Sequence, residues 1–102
     1  MDNKLIEAAM AARRNAYAPY SEFYVGAALT DESGKLYLGA NVESSSYGLS
    51  ICAERHAIGA AVVSGARKFT QMVVASDRGV SPCGACRQVI WDICGDIDLI
   101  MV

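Results

Sequence analysis

The sequence predicts an α/β domain: a mixed β-sheet with helices packed on its faces, forming a three-layer α-β-α sandwich. Three observations predict it. The first segment carries apolar residues at helical spacing. Two short β-rich runs follow, joined by a turn. Apolar helical segments then alternate with short apolar strands. The order along the chain is α-β-β-α-β-α-β.

The opening segment, "DNKLIEAAMAARRNAYAPY", can start at Asp2 or Asn3 as N-cap, with Leu5, Ala9, Ala12 and Ala16 at helical spacing and Pro19 as its stop. "FYVGAALT" and "KLYLGANV" are short and β-rich, and "DESGK" between them contains a Ser33-Gly34 pair suited to a hairpin turn. From Ile51 to about Ser64, "ICAERHAIGAAVVS" has apolar residues on several faces, as a helix buried against a sheet requires, and Gly65 is placed to end it. "TQMVVAS" reads as a buried strand, "DRGVSP" as a loop, "CGACRQVIWDIC" as a helix closed by Gly95, and "IDLIMV" as a final strand. Neither a repeat nor a linker interrupts this order.

With 102 residues the chain is expected to form a single domain over 1–102, near the size at which one core just suffices and help from a metal or from oligomerisation is unsurprising. Asp2 and Lys4 interrupt the start, and no apolar run reaches the roughly 18 residues of a membrane span. Targeting and membrane insertion are therefore not expected. A reducing, cytoplasmic setting makes the four cysteines thiols or metal ligands rather than a disulfide framework. A net charge of −2 leaves no basic footprint for nucleic acid, so a small molecule is the expected partner.

The chemistry concentrates in two places. In "PCGAC", Cys83 and Cys86 begin a predicted helix three residues apart, so their sulfurs share a face and can hold one ion. That is half of a zinc site. Cys52, at the start of another predicted helix, is the best-placed further ligand; helix N-termini lower thiol pKa values and favour the thiolate that zinc takes. Cys94 lies eleven residues beyond Cys83, roughly 16 Å along a helix, and reads as a buried thiol.

Three thiolates around Zn²⁺ leave a net charge of −1 and a position for water. Arg55 could donate to the thiolates and offset that charge, although an ordinary surface arginine would look the same in the sequence. Glu54 could carry a proton to and from the water, although the helix dipole alone favours a glutamate in a first turn.

The full pattern is C-A-E followed by P-C-x-x-C, and it resembles the zinc nucleoside and nucleobase deaminases. "AYAPYSEFYVGAAL", "GANVESSSYGLSICAER" and "SPCGACRQVI" are similar to the small, three-cysteine class of cytidine deaminase, and together cover about half of the chain. The resemblance implies a cytidine deaminase-like fold and one Zn²⁺ per subunit, with Cys52, Cys83 and Cys86 as ligands and Glu54 as proton shuttle. Zinc-activated water would add at C4 of cytosine while Glu54 protonates N3 and then the leaving amino group. Asn41 and Glu43 would hold ribose hydroxyls, Phe23 would pack on the pyrimidine face, and the Ala53 backbone N–H would contact the substrate carbonyl. Tyr47 would reach the ribose pocket of a neighbouring subunit. A strand-to-loop polar pair capping local backbone is the alternative for Asn41 and Glu43, and a core position is the alternative for Phe23.

The resemblance also implies a homotetramer acting in pyrimidine salvage on cytidine and deoxycytidine, with its sites near subunit interfaces. The chain departs from the class in two ways. The class usually continues past the strand equivalent to "IDLIMV" with a further strand and a helix, whereas this chain stops at Val102, so either a naturally short or trimmed version or a more open site is expected. His56 stands where a small residue is expected, four residues after Cys52, and could close a Cys₃His structural site. The competing readings are a deaminase for another aminopyrimidine nucleoside such as blasticidin S, an inactive structural-zinc protein, and a CxxC oxidoreductase. The last leaves Cys52, Glu54 and Asn41 unexplained. Strand editing suits an acidic chain without an aromatic and basic track poorly.

Overall fold

The computed structural model of the chain describes residues 3–46, 49–77 and 84–102. Among them the order is α1 (Asn3–Arg13), β1 (Gly26–Asp31), β2 (Leu36–Ala40), α2 (Ala53–Val63), β3 (Phe69–Ala75), α3 (Gly84–Cys94) and β4 (Asp98–Met101). This is the order the sequence predicts. The strands form one sheet, β2-β1-β3-β4. β1 is antiparallel to both β2 and β3, whereas β3 and β4 run parallel, so the sheet is mixed.

Strand alternation divides the core in two. Ala28, Val73 and Ala75 pack with Leu5 and Ala9 of α1 on one face. Ala27, Leu29, Met72 and Val74 pack with Ala53, Ala57, Ile58 and Ala61 of α2 and Ile90 of α3 on the other. β1 and the C-terminal half of β3 are buried on both faces, which is why "GAAL" and "MVVA" are continuously apolar.

Two glycines set how closely the outer layers sit. A Cβ at Gly26 would lie 2.1 Å from the Ala9 carbonyl oxygen of α1, and one at Gly39 would lie 2.2 Å from the Ala53 carbonyl oxygen of α2. Helix backbone rests on strand backbone at both places. The hairpin turn is held by Asp31, whose Oδ1 accepts from the Ser33 N–H at 2.9 Å, the Ser33 hydroxyl at 2.7 Å and the Lys35 N–H at 3.0 Å. Gly65 and Gly95 follow α2 and α3 with φ of 96° and 72°, the left-handed conformation that ends a helix.

Three boundaries differ from the sequence expectation, and each difference has a tertiary cause. α1 ends at Arg13 rather than running to Pro19. Tyr17 is drawn out of it, donating its N–H to the Asn41 carbonyl at 2.9 Å and accepting from the Glu43 N–H at 2.9 Å. Residues 23–25 lie outside β1, tethered by Asn41. Ile51 exchanges two backbone hydrogen bonds with Val42 instead of joining α2. Among the described residues no helix is long and apolar enough to cross a membrane.

Candidate active site

The Val42–Ile51 bridge joins the end of the hairpin to the start of α2. Cys52 follows as the N-cap residue of α2, with extended backbone at φ −75° and ψ 156°, and its sulfur does not cap the helix. Ala53 is the fully buried first helical residue. A residue in that position has no intrahelical acceptor for its N–H.

Glu54, next in the first turn, is only 4% exposed, the one charged side chain in the core among the described residues. Burial pushes its carboxyl pKa up, and the nearby Cys52 sulfur adds to the rise. Its own backbone N–H, the Cys86 thiol and the Arg55 charge oppose it. Burial thus favours the protonated form of this carboxyl while its neighbours oppose that, an environment in which a carboxyl can serve as a proton carrier.

Cys86 is fully buried in the first turn of α3, which packs against α2. The Arg55 Nη2 donates to the Cys52 sulfur at 3.7 Å and to the Ser50 carbonyl at 3.4 Å. Contact with Cys52 first, and with Cys86 as well, raises the Arg55 pKa. Two thiols, one guanidinium and one buried carboxyl therefore meet where α2 and α3 begin. Arg55 is half-buried, with its guanidinium turned toward the thiols.

The donor chemistry fits zinc. Cys52, Cys86 and Cys94 lie outside any disulfide among the described residues. Sulfur donors at helix starts beside a guanidinium are of the type that zinc takes. Among the described residues no three histidine, cysteine or acidic side chains complete a metal site by themselves. The third expected ligand, Cys83, lies outside the described residues, as does Tyr47. Cys94 stands apart in the last turn of α3, its thiol pushed up to about 11 by burial. His56 packs beside Gly39 of β2, and its Nε2 is buried without a hydrogen-bond partner among the described residues.

Asn41, Glu43 and Phe23, which the sequence reading expects to face substrate, are brought together and hydrogen-bond within the chain. The Asn41 Oδ1 accepts from the Val25 N–H at 2.9 Å, and its Nδ2 donates to the Phe23 carbonyl at 2.8 Å. The Glu43 Oε1 accepts from the N–H groups of Tyr20 and Ser21 at 3.0 and 3.1 Å, and its Oε2 accepts from the Ser21 hydroxyl. Asn41 and Glu43 thus clamp the segment that carries the half-buried Phe23. Glu43 and Ser21 also line a cleft of about 270 Å³ with Tyr20, Ser44, Ser45 and Ser50. Sequence reasoning missed Ser21, because pairing across 22 residues leaves no local signal.

A buried carboxyl beside two thiols at helix starts, on a mixed sheet with helices on its faces, has the donor chemistry of a thiolate-zinc site in an α/β protein. The family model "Cytidine and deoxycytidylate deaminase zinc-binding region" matches residues 1–101. The chain is 49% identical over 102 residues to a probable cytidine deaminase of Dictyostelium discoideum, covering 97% of this chain and 69% of that protein. It is 52% identical over 93 residues to the cytidine deaminase of Sporosarcina psychrophila, covering 89% and 68% respectively. The crystal structure of cytidine deaminase from Burkholderia pseudomallei superposes with a TM-score of 0.94 at 46% identity, over 100% of this chain and 85% of that one. The chain belongs to the zinc-binding cytidine and deoxycytidylate deaminase family.

Proposed function

We propose that the protein hydrolytically deaminates cytidine and deoxycytidine to uridine and deoxyuridine, as a cytoplasmic enzyme of pyrimidine salvage. The observation that carries this reading is the buried Glu54 carboxyl beside the Cys86 thiol, with Cys52 and Arg55 completing the cluster. Cys52, Cys83 and Cys86 would hold one Zn²⁺ per subunit. When bound, the metal supplies Lewis acidity that makes a water nucleophilic at neutral pH.

The Glu54 carboxylate would accept a proton from the attacking water, deliver it to N3 of the pyrimidine, and carry a second proton to the exocyclic nitrogen as the C4–N bond breaks. Water oxygen becomes the new C4 carbonyl, and ammonia leaves. The Ala53 N–H donates to the pyrimidine carbonyl, and Phe23 covers the ring. Asn41 and Glu43 retain hydrogen-bonding capacity beyond their contacts with residues 20–25, since each amide or carboxylate oxygen accepts more than one hydrogen bond. That remaining capacity meets the ribose hydroxyls. In a homotetramer, Tyr47 would serve the sugar pocket of a neighbouring subunit. Exposed Leu38 on β2, Val63 on α2 and Trp91 on α3 supply apolar surface for such contacts.

Conversion of cytidine to uridine by the purified protein, with zinc measured on the same sample, tests the reading. Turnover with about one zinc per chain is expected from one set of three ligands. Glu54→Ala is expected to retain zinc and lose at least about 10²-fold in kcat; an undiminished rate refutes the shuttle. His56→Ala is expected to keep the metal, and its loss would indicate a closed structural site instead.

A further inference from the structure

Ser21, Glu22 and Phe23 form a turn in which Glu22 has φ of 56°, the one non-glycine residue with positive φ among the described residues. Such a backbone persists only where its surroundings hold it. Several contacts hold it here, the Glu22 N–H donating to the Ala18 carbonyl at 3.0 Å among them, and one hydroxyl links its two sides. Ser21 Oγ donates to Glu43 Oε2 and accepts from the Phe23 N–H at 3.1 Å, so one group bridges the two sides of the turn. A hydroxyl can do both at once, as neither an alanine nor a purely donating side chain can.

We propose that Ser21 is a positioning residue for nucleoside binding: its hydroxyl locks the Glu43 carboxylate and the Phe23 backbone at a fixed spacing before substrate arrives. The inference rests on the nucleoside reading given above. Glu43 and Ser21 share the wall of the serine-lined cleft, whose far side is braced by the Ser50 hydroxyl accepting from the Ser44 N–H at 2.9 Å. The Ser21 hydroxyl and backbone also hold the Glu43 carboxyl below its usual range, so it faces the cleft as an anion. A carboxylate fixed in this way loses little further freedom when it engages a sugar, which favours binding without touching the chemical step.

Steady-state kinetics on cytidine with the zinc-loaded protein tests this. Ser21→Ala is expected to raise KM about tenfold, the value of one charge-assisted hydrogen bond, with kcat held within about twofold. Ser21→Thr, which keeps the hydroxyl, is expected to restore KM. In a Glu43→Ala background, Ser21→Ala is expected to add less than about twofold, because the group it positions is gone. A wild-type KM in Ser21→Ala, or the same tenfold increment without Glu43, overturns the inference. Should Ser21→Ala fail to fold, Ser21→Cys, a weaker donor of similar size, is expected to raise KM, and an unchanged KM there overturns it equally. No turnover of cytidine by the wild type would remove the nucleoside reading and this inference together, whereas wild-type turnover with an unaffected Ser21→Ala removes this inference alone.

Discussion

Arg55 reaches back across one turn of α2 and donates from Nη2 to the sulfur of Cys52, the residue that caps the helix, at 3.7 Å. The same guanidinium also interacts with Cys86 of α3. It therefore meets sulfurs from two elements at once, and would offset their charge if they hold zinc as proposed.

Arg55→Gln is accordingly expected to weaken zinc binding or activity by about 10- to 100-fold, the usual cost of losing a partner that orients metal ligands. Competition with a chromogenic zinc chelator reads the affinity directly. Unaltered affinity and rate would mean that the contact with sulfur is incidental.

Gly39→Ala and Gly26→Ala are expected to destabilise the protein by about 3 kcal/mol each, since the new methyl meets helix backbone that cannot rotate away. Their functional effects should separate. The Gly39 Cβ strikes Ala53 and Ala57 of α2, which carries Cys52 and Glu54, whereas the Gly26 Cβ strikes Ala9 and Arg13 of α1 on the opposite face. Urea unfolding with zinc content measured in parallel should show metal loss for Gly39→Ala and retention for Gly26→Ala.

Asp31 ties the β1–β2 turn together, and its carboxyl is lowered from 3.8 to about 2, chiefly by the Ser33 hydroxyl and further by Lys35, Tyr37 and the Ser33 N–H. A depressed folded-state pKa contributes stability above the unfolded value and loses it as pH falls through the folded one. Asp31→Ala is therefore expected to lower Tm at neutral pH by an amount that shrinks as pH falls from about 4 toward 2. Thermal melts of both proteins across that range check it, and a gap that widens on acidification would contradict it.

Cys94, with its thiol pushed up to about 11 by burial, is expected to resist alkylation at neutral pH, because the thiolate is the reactive form. Mass spectrometry after iodoacetamide treatment at pH 7.5 and at pH 10.5 should show modification rising with pH. Cys94→Ser is expected to bind zinc normally. Ready labelling of Cys94 at neutral pH would place it in a different environment.

Most of the fold was legible because its signals are local. Leu5, Ala9 and Ala12 fall on one side of α1 by helical spacing alone, and all three are buried. Gly65 and Gly95 end their helices through a conformation that glycine adopts without strain. The thiol-and-carboxyl cluster was legible for a similar reason: Cys52, Glu54 and Arg55 lie within one turn of a single helix, and Cys86 sits in the first turn of another.

What stayed hidden depends on contacts between distant segments. The end of α1 at Arg13 reflects Tyr17 pairing with the backbone around Val42, and no residue near Tyr17 announces that pairing. The sequence suggested sugar-binding side chains at Asn41 and Glu43, yet their present partners lie 16 to 23 residues earlier, at Tyr20, Ser21, Phe23 and Val25.

By itself, then, the sequence determined the order of helices and strands, the family, and the residue types gathered at the starts of α2 and α3. Those follow from periodicity and from chemistry written within a few positions. Only the tertiary structure decided that Arg55 meets sulfurs of both helices, that Glu54 is buried and its carboxyl pKa raised, and that Ser21 joins Glu43 to Phe23. Burial and long-range hydrogen bonding exist only once the chain has folded back on itself, so no stretch of sequence carries them alone.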